Sequence, residues 1–480
     1  MAMKTGRLLL VLGSLAAFAG QPLAGQQAGP ASPLQWPVPP PGPPPEPRPP
    51  LLIGPSDLAR ALAAGALPLD LRGAGPRFAA GHLPGAIPAW SDAEDADLET
   101  LRSRLAAAGI SGRETVVLYG APDAAGREAL ARWLWRLRRA GCGEVRILDG
   151  GPDGGLAAWR TARGALETGA PRRAAVAAFH PAGPDPAAVD AAWIDGTLVQ
   201  TGVQLLDVRD ARGWDRWATP PTFAAGHIPY SLPFDPAALL PAGGGWPDPG
   251  ELRARLATLG PRPGDPVRAD ALLVLYGTDA ADPRPALGYL LLTLAGRDAR
   301  VYPGGWREWR AGGSRPVVRV ISAPELADRL RRGDPKLAAD RPPADLILLD
   351  LREARDFRIG HLPGALSLPF LHFARDFETV VREGWPAADR TTTPLVLYCY
   401  GTDCVRSRKG GALAARLGFR DVLWFRGGIR EWREAGYRLA ETPAASSSPA
   451  RPSPASPSRA RPPASPAPAP GSPGRADGRP

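Results

Sequence analysis

Cysteine is nearly absent from this chain, with three in 480 residues, yet two of them stand five positions apart in "LVLYCYGTDCVRSRKGG". No histidine or further cysteine lies at normal ligand spacing from Cys399 and Cys404, which argues against a metal centre built on the pair. Lysine is scarce too, and no basic block carries interleaved aromatics. The formal charge of +10 therefore does not describe a nucleic-acid binder, the more so because the five arginines and one aspartate after Glu441 supply +4 of it. Long apolar runs are missing beyond the N-terminus, so no later segment is expected to cross a bilayer.

At the N-terminus, Lys4 and Arg7 precede the twelve-residue run Leu8 to Ala19, followed by small residues. That pattern predicts a secretory signal over 1–25, cleaved after Ala19 or near Gly25, and a periplasmic or secreted protein; an uncleaved anchor is the alternative. No cysteine follows the run, which argues against a lipoprotein anchor. Residues 26–50 read as a proline-rich linker, since twelve of the twenty-one residues from Pro30 to Pro50 are proline. Residues 442–480, rich in Pro, Ser, Ala and Arg, read as a disordered tail.

Between these ends the length suggests two to four domains, and an internal repeat decides the number. "LPLDLRGAGPRFAAGHLPGAIP", "QLLDVRD" with "FAAGHIPYSLP", and "LILLDLREARDFRIGHLPGALSLP" are three versions of one segment. Each is followed by a β-type run, a helical stretch and a Trp-bearing motif. The anchors are Asp70, Asp207 and Asp350; His82, His227 and His361; Gly120, Gly277 and Cys399; and Trp159, Trp309 and Trp432. Short apolar strands alternating with helices predict an α/β fold with a mainly parallel sheet covered on both faces. The expected domains are 51–172, 180–318 and 319–441, and about a dozen residues inserted in the second (within Asp235–Leu256) read as a surface excursion.

Cys399 ends the run Leu395 to Tyr398 and faces a helix expected from Val405. There backbone N–H groups and the positive end of the helix dipole favour an anion, and hence a thiolate. The loop amides from Tyr400 to Cys404, with Gly401 and Thr402 in the turn, can form the cradle. Arg406, Arg408 and Lys409 add positive charge, and Ser407 offers one more donor. Asp403 is expected to turn outward as the helix N-cap, because aimed at the sulfur it would raise the thiol pKa and repel an anion. Cys404 has two readings: a resolving or redox partner closing a ring with Cys399, or a small residue pointing into the core. Cys142 reads as a buried or unpaired thiol. The Asp-x-Arg and Gly-His segments, with His361 among them, read as architectural, as do Gly427–Gly428 and Trp432.

Taken together, Asp350-x-Arg352, Gly360 to Ala365, the strand into the Cys399 loop, and Gly427 to Trp432, repeated in order three times, resemble the rhodanese family. The resemblance spans roughly residues 51–441. It implies three tandem rhodanese-like domains in which Cys399 takes sulfane sulfur from a thiosulfate-like donor, becomes a persulfide and passes the sulfur to cyanide, a thiol or a protein acceptor. It implies as substrate-binding residues Tyr400, Gly401, Thr402, Asp403, Cys404, Arg406 and Ser407, no cofactor and no metal, and no nucleic-acid partner. Gly120 and Gly277 leave the first two domains without a nucleophile. The loop departs from the family pattern in having Cys404 as its sixth residue. A non-catalytic scaffold, or a passive carrier of sulfur or redox equivalents, is the rival reading. The Cys-x5-Arg arrangement of phosphatases fits poorly, because Arg406 follows Cys399 after six residues.

Overall fold

The computed structural model describes residues 50–91, 97–170, 173–183, 187–198, 202–209, 221–258, 271–313, 315–333, 343–402 and 404–441. The expected signal, linker and tail lie outside the described residues, as does Asp403. Among the described residues no helix is long and apolar enough to cross a membrane.

Domain 1 contains β1 (Leu52–Ile53), α1 (Pro55–Ala63), β2 (Leu67–Asp70), α2 (Pro76–Ala80) and β3 (Ile87–Pro88). It continues through α3 (Leu98–Ala107), β4 (Thr115–Tyr119), α4 (Ala124–Ala140), β5 (Glu144–Leu148) and α5 (Gly155–Thr161). Domain 2 begins with α6 (Ala191–Thr197), β6 (Val203–Asp207), α7 (Pro221–Ala224), β7 (Leu232–Pro233) and α8 (Pro249–Thr258). β8 (Leu272–Tyr276), α9 (Arg284–Leu294), β9 (Ala299–Tyr302) and α10 (Gly305–Ala311) complete it. Domain 3 runs from β10 (Val318–Val320) and α11 (Ala323–Gly333) through β11 (Ile347–Asp350), α12 (Ala354–Ile359), β12 (Leu366–Ser367) and α13 (Phe373–Gly384). It ends with β13 (Leu395–Tyr398), α14 (Val405–Arg416), β14 (Val422–Phe425) and α15 (Gly428–Glu434).

Three parallel sheets result, as expected. Their orders are β1-β5-β4-β2-β3, β7-β6-β8-β9 and β10-β14-β13-β11-β12. The first and third are the same topology, and the second matches it once the bridge of Ala188 to Val301 is placed at the β9 edge. The central strands are buried along their length on both faces, the reason they read as apolar runs rather than alternating ones.

The domains are packed together. Helix α9 is buried at nearly every position from Pro285 to Leu294, unlike a surface helix with one apolar face. It lies against α4 of domain 1, and Leu134, Leu137, Leu290 and Leu291 belong to one continuous apolar core. The Arg138 guanidinium donates to the Tyr289 hydroxyl at 3.3 Å across that contact. The inserted residues of domain 2 are therefore no free excursion: Gly244 and Gly245 approach Pro152 and Gly151 of domain 1, and Trp246 packs onto the shared core.

Domains 2 and 3 are joined without a spacer. Val318 exchanges both backbone hydrogen bonds with His227 of domain 2 (2.9 and 3.1 Å) and pairs in register with Val422 of domain 3. The expected boundary at 318/319 thus falls inside β10, which belongs to the domain 3 sheet and makes an isolated antiparallel bridge to His227 of domain 2. Phe223 of α7 enters the domain 3 core, and the Arg416 guanidinium donates to the Leu198 carbonyl at 3.1 Å.

Candidate functional site

Each domain holds its strand ends with one repeated network. In domain 3 the Asp350 carboxylate, at the end of β11, accepts from the Arg352 amide (2.9 Å) and from its Nε (3.0 Å), while Arg352 Nη2 donates to the Gly360 carbonyl at 2.6 Å. Tyr398 Oη accepts the Leu362 amide at 3.1 Å, and burial with the nearby Asp350 charge pushes the phenol well above its ordinary pKa. His361 is buried, stacked on Phe357 at 3.8 Å, and its Nδ1–H donates to the Phe357 carbonyl at 2.9 Å. Asp70–Arg72–Tyr119 with His82, and Asp207–Arg209–Tyr276 with His227, repeat the arrangement. All three copies satisfy buried polar groups, whether or not the domain carries a cysteine, so the network is architecture.

This frame delivers Cys399 to the carboxyl end of β13, with α14 beginning six residues later. The loop is fastened from behind by α15. The Cys399 carbonyl accepts the Ile429 amide at 3.0 Å, and the Tyr400 carbonyl accepts the Arg430 amide at 3.2 Å. Gly428 makes this approach possible: its φ is +54°, and a Cβ there would stand 2.2 Å from the Cys399 carbonyl oxygen. The first amides of α14 have no intrahelical acceptor and open toward the loop's side of the helix.

Cys399 and Cys404 are joined by a disulfide, with their Cα atoms 6.2 Å apart. Cys399 is 1% exposed and Cys404 is half-buried. Cys404 is the N-cap residue of α14 and its side chain caps nothing; the expectation for Asp403 falls outside the described residues. Cys404 also does not point into the core; its sulfur meets Cys399. In this oxidised state the site has no nucleophile, and reduction must precede any thiolate chemistry.

The remaining predicted residues divide into two groups. Gly401 and Thr402 are buried in the turn, and the Gly401 carbonyl accepts the Cys404 amide at 3.0 Å. The Tyr400 hydroxyl donates to Asp356, and burial followed by that carboxylate raises its pKa. Arg406 Nη1 pairs with Glu353 at 2.9 Å and its guanidinium lies 5.9 Å from the Tyr400 ring centre. Two acidic residues at the start of α12, its N-cap Glu353 and Asp356 in its first turn, therefore engage the rim, a feature sequence spacing did not reveal. Ser407 lies elsewhere: it is fully buried, and its Oγ accepts the Trp424 indole N–H at 3.0 Å. Arg408 is turned to domain 2, over the Tyr230 ring at 5.0 Å. Cys142 is buried in domain 1, where desolvation, aided by Glu114, pushes its thiol up to about 12.

Comparison with known proteins agrees with this geometry. The Rhodanese-like domain matches residues 54–161, 190–312 and 322–435. The chain belongs to the rhodanese-like family. A Mycobacterium tuberculosis protein named as a thiosulfate sulfurtransferase, SseB, is 31% identical over 261 residues, covering 50% of this chain and 84% of that one. A Pseudomonas aeruginosa protein named as a 3-mercaptopyruvate sulfurtransferase is 32% identical over 231 residues, covering 46% of this chain and 74% of its own length. The chain is thus a triple rhodanese-like protein with sulfurtransferase relatives.

The two sister loops differ in how they lack a reactive group. In rhodanese-like domain 2, Gly277 stands in place of Cys399 and its carbonyl accepts the Trp306 amide at 2.9 Å, as in domain 3. Here the loop interior holds the protein's own carboxylate. Asp282 accepts from the Thr278 amide (2.9 Å), the Arg284 amide (3.1 Å) and two nitrogens of the Arg284 guanidinium (2.8 and 2.7 Å). Although burial opposes it, this set of donors keeps the Asp282 pKa below its ordinary value. In domain 1 the turn from Gly120 is shorter, Asp123 caps α4 through the Gly126 amide at 2.7 Å, and Gly245 and Trp246 of domain 2 line the small space beside it.

Proposed function

We propose that the reduced protein is a sulfurtransferase working through a persulfide on Cys399. A thiolate at Cys399 attacks the outer sulfur of a thiosulfate-like anion. The S–S bond of the donor breaks, sulfite leaves with the bonding electron pair, and Cys399 keeps one added sulfur. Cyanide or a thiol then attacks that sulfur and restores the thiolate. Among the substrate-binding residues, Tyr400, Gly401, Thr402, Cys404 and Arg406 belong to the loop or its rim, with Asp403 between them in sequence.

One observation carries the reading. Cys399 occupies the carboxyl end of the central strand, in the loop position where the sister domains have glycine, and it faces the start of a twelve-residue helix that favours an anion. The family and the names of its relatives support it. Domains 1 and 2 serve as packed supports. Export to the periplasm or beyond belongs to the same proposal and rests on the Lys4–Arg7 and Leu8–Ala19 pattern, in a compartment where such a disulfide persists.

A rival reading, a carrier or scaffold that does not turn over, draws on the burial of Cys399. The two separate in one assay. Reduced Cys404→Ser protein given thiosulfate and cyanide is expected to form thiocyanate catalytically, and Cys399→Ser to form none. Thiocyanate limited to a single turnover in excess substrate would favour the carrier.

A further inference from the structure

Cys404 holds a place in the loop that exceeds what transfer to an external acceptor requires. A transferase with one nucleophile needs no second thiol at the N-cap of α14, a position where Ser, Thr, Asp or Asn would add a capping hydrogen bond. Here the capping bond is forgone and the side chain is bonded to Cys399. Both ends of the turn are held in place, by Ile429 N–H on the Cys399 carbonyl and by the Cys404 N–H on the Gly401 carbonyl. The two sulfurs are bonded within the folded loop, with β13 and α14 both formed around them.

We propose that Cys404 is a resolving thiol that discharges the Cys399 persulfide as sulfide, making domain 3 a dithiol-dependent sulfide-releasing enzyme. The inference rests on the persulfide reading given above. The Cys404 thiolate attacks the inner sulfur, Sγ of Cys399. The bond between that atom and the outer sulfur breaks, hydrosulfide leaves with the electron pair, and the Cys399–Cys404 disulfide forms. A small dithiol, or a protein dithiol, then reduces the disulfide and is itself oxidised to a disulfide. Over the whole cycle thiosulfate and a dithiol give sulfite, hydrogen sulfide and an oxidised dithiol, so atoms and electrons balance.

The burial of the two sulfurs sets the order of the return step. Cys404 is half-buried whereas Cys399 is 1% exposed. The incoming reductant therefore attacks Cys404 and expels Cys399, whose departing charge falls beside the first amides of α14. Cys142, enclosed in the domain 1 core, takes no part.

The test is a single turnover of fully reduced, desalted full-length protein given limiting thiosulfate with no external thiol. Wild type is expected to release sulfite and sulfide together and to lose two free thiols. Cys404→Ser is expected to release sulfite alone and hold the sulfur until cyanide is added, when thiocyanate appears. Sulfite without sulfide from wild type, or equal sulfide from wild type and Cys404→Ser, would overturn the resolving role while leaving sulfur transfer intact. Absence of sulfite from wild type would overturn the persulfide reading, and this inference with it.

Discussion

The Asp282 carboxylate accepts the Thr278 amide at 2.9 Å, inside the loop of domain 2 that corresponds to the cysteine loop of domain 3. A cradle suited to an anion is thus filled by the chain itself. A Cβ built at Gly277 would stand 2.4 Å from Asp282 Oδ2 and 2.9 Å from Pro285 Cγ, whereas one at Gly120 meets nothing closer than Leu71 Cβ at 3.4 Å. Gly277→Cys is expected to destabilise the protein by about 1–3 kcal/mol through overpacking, and Gly120→Cys to stay within about 0.5 kcal/mol of wild type. Adding Asp282→Ala should recover part of the Gly277→Cys loss. Denaturant midpoints of the three variants decide it; equal losses at Gly120 and Gly277 would remove the distinction between the two silent loops.

Gly428 couples the last helix to the reactive loop. With φ at +54° and the Cys399 carbonyl so close, Gly428→Ala must move the loop, while Gly436 (φ +80°) has open space around its would-be Cβ. Both alanine variants are expected to cost about 1–3 kcal/mol in backbone strain. Only Gly428→Ala should also slow sulfur loading of Cys399, on the order of a hundredfold, by misplacing the reacting atom. Single-turnover sulfite release at matched folded fraction measures this, and unchanged loading in Gly428→Ala would show that the contact does not position the cysteine.

His227 makes acid stability depend on the junction of domains 2 and 3. Burial holds its imidazole down to about 3 from an ordinary value of 6.5, with the Arg209 and Arg408 guanidiniums adding to the effect. Between those values the unfolded chain binds one proton more than the folded one. The contribution is therefore complete above 6.5 and is lost as pH falls toward 3, at about 1.4 kcal/mol per pH unit. His227→Gln should be less stable at pH 7, yet its loss of stability from pH 7 to pH 4 should be smaller than that of wild type by about 3 kcal/mol. Parallel pH profiles for the two proteins would contradict the assignment.

Much of the architecture is legible in the sequence because the same backbone problem is solved three times. A strand ending in Asp-x-Arg, a Gly-His turn and a Trp-bearing helix each satisfy buried polar groups within a short stretch, so spacing alone locates them. The place of Cys399 in the fold is legible for a related reason: it follows a fully buried strand and precedes a helix start. What escaped is long-range or depends on side-chain direction. Ser407 is two residues into α14, and the helical turn carries it to Trp424 instead of the loop. Asp282 looks like an ordinary helix-start aspartate until the loop folds over it. The insertion around Gly244 to Trp246 reads as surface because its partner, Gly151–Pro152, lies in another domain. The all-round apolar character of α9 was the available signal for domain packing.

The most direct test of the central claim is the fate of one sulfur atom. Cys404→Ser protein, reduced and treated with thiosulfate, is digested under acid and its peptides are weighed before and after cyanide. The peptide holding Cys399 is predicted to gain the mass of a single sulfur and to lose it to cyanide as thiocyanate. No gain on that peptide, or a gain only on the peptide holding Cys142, would contradict the account.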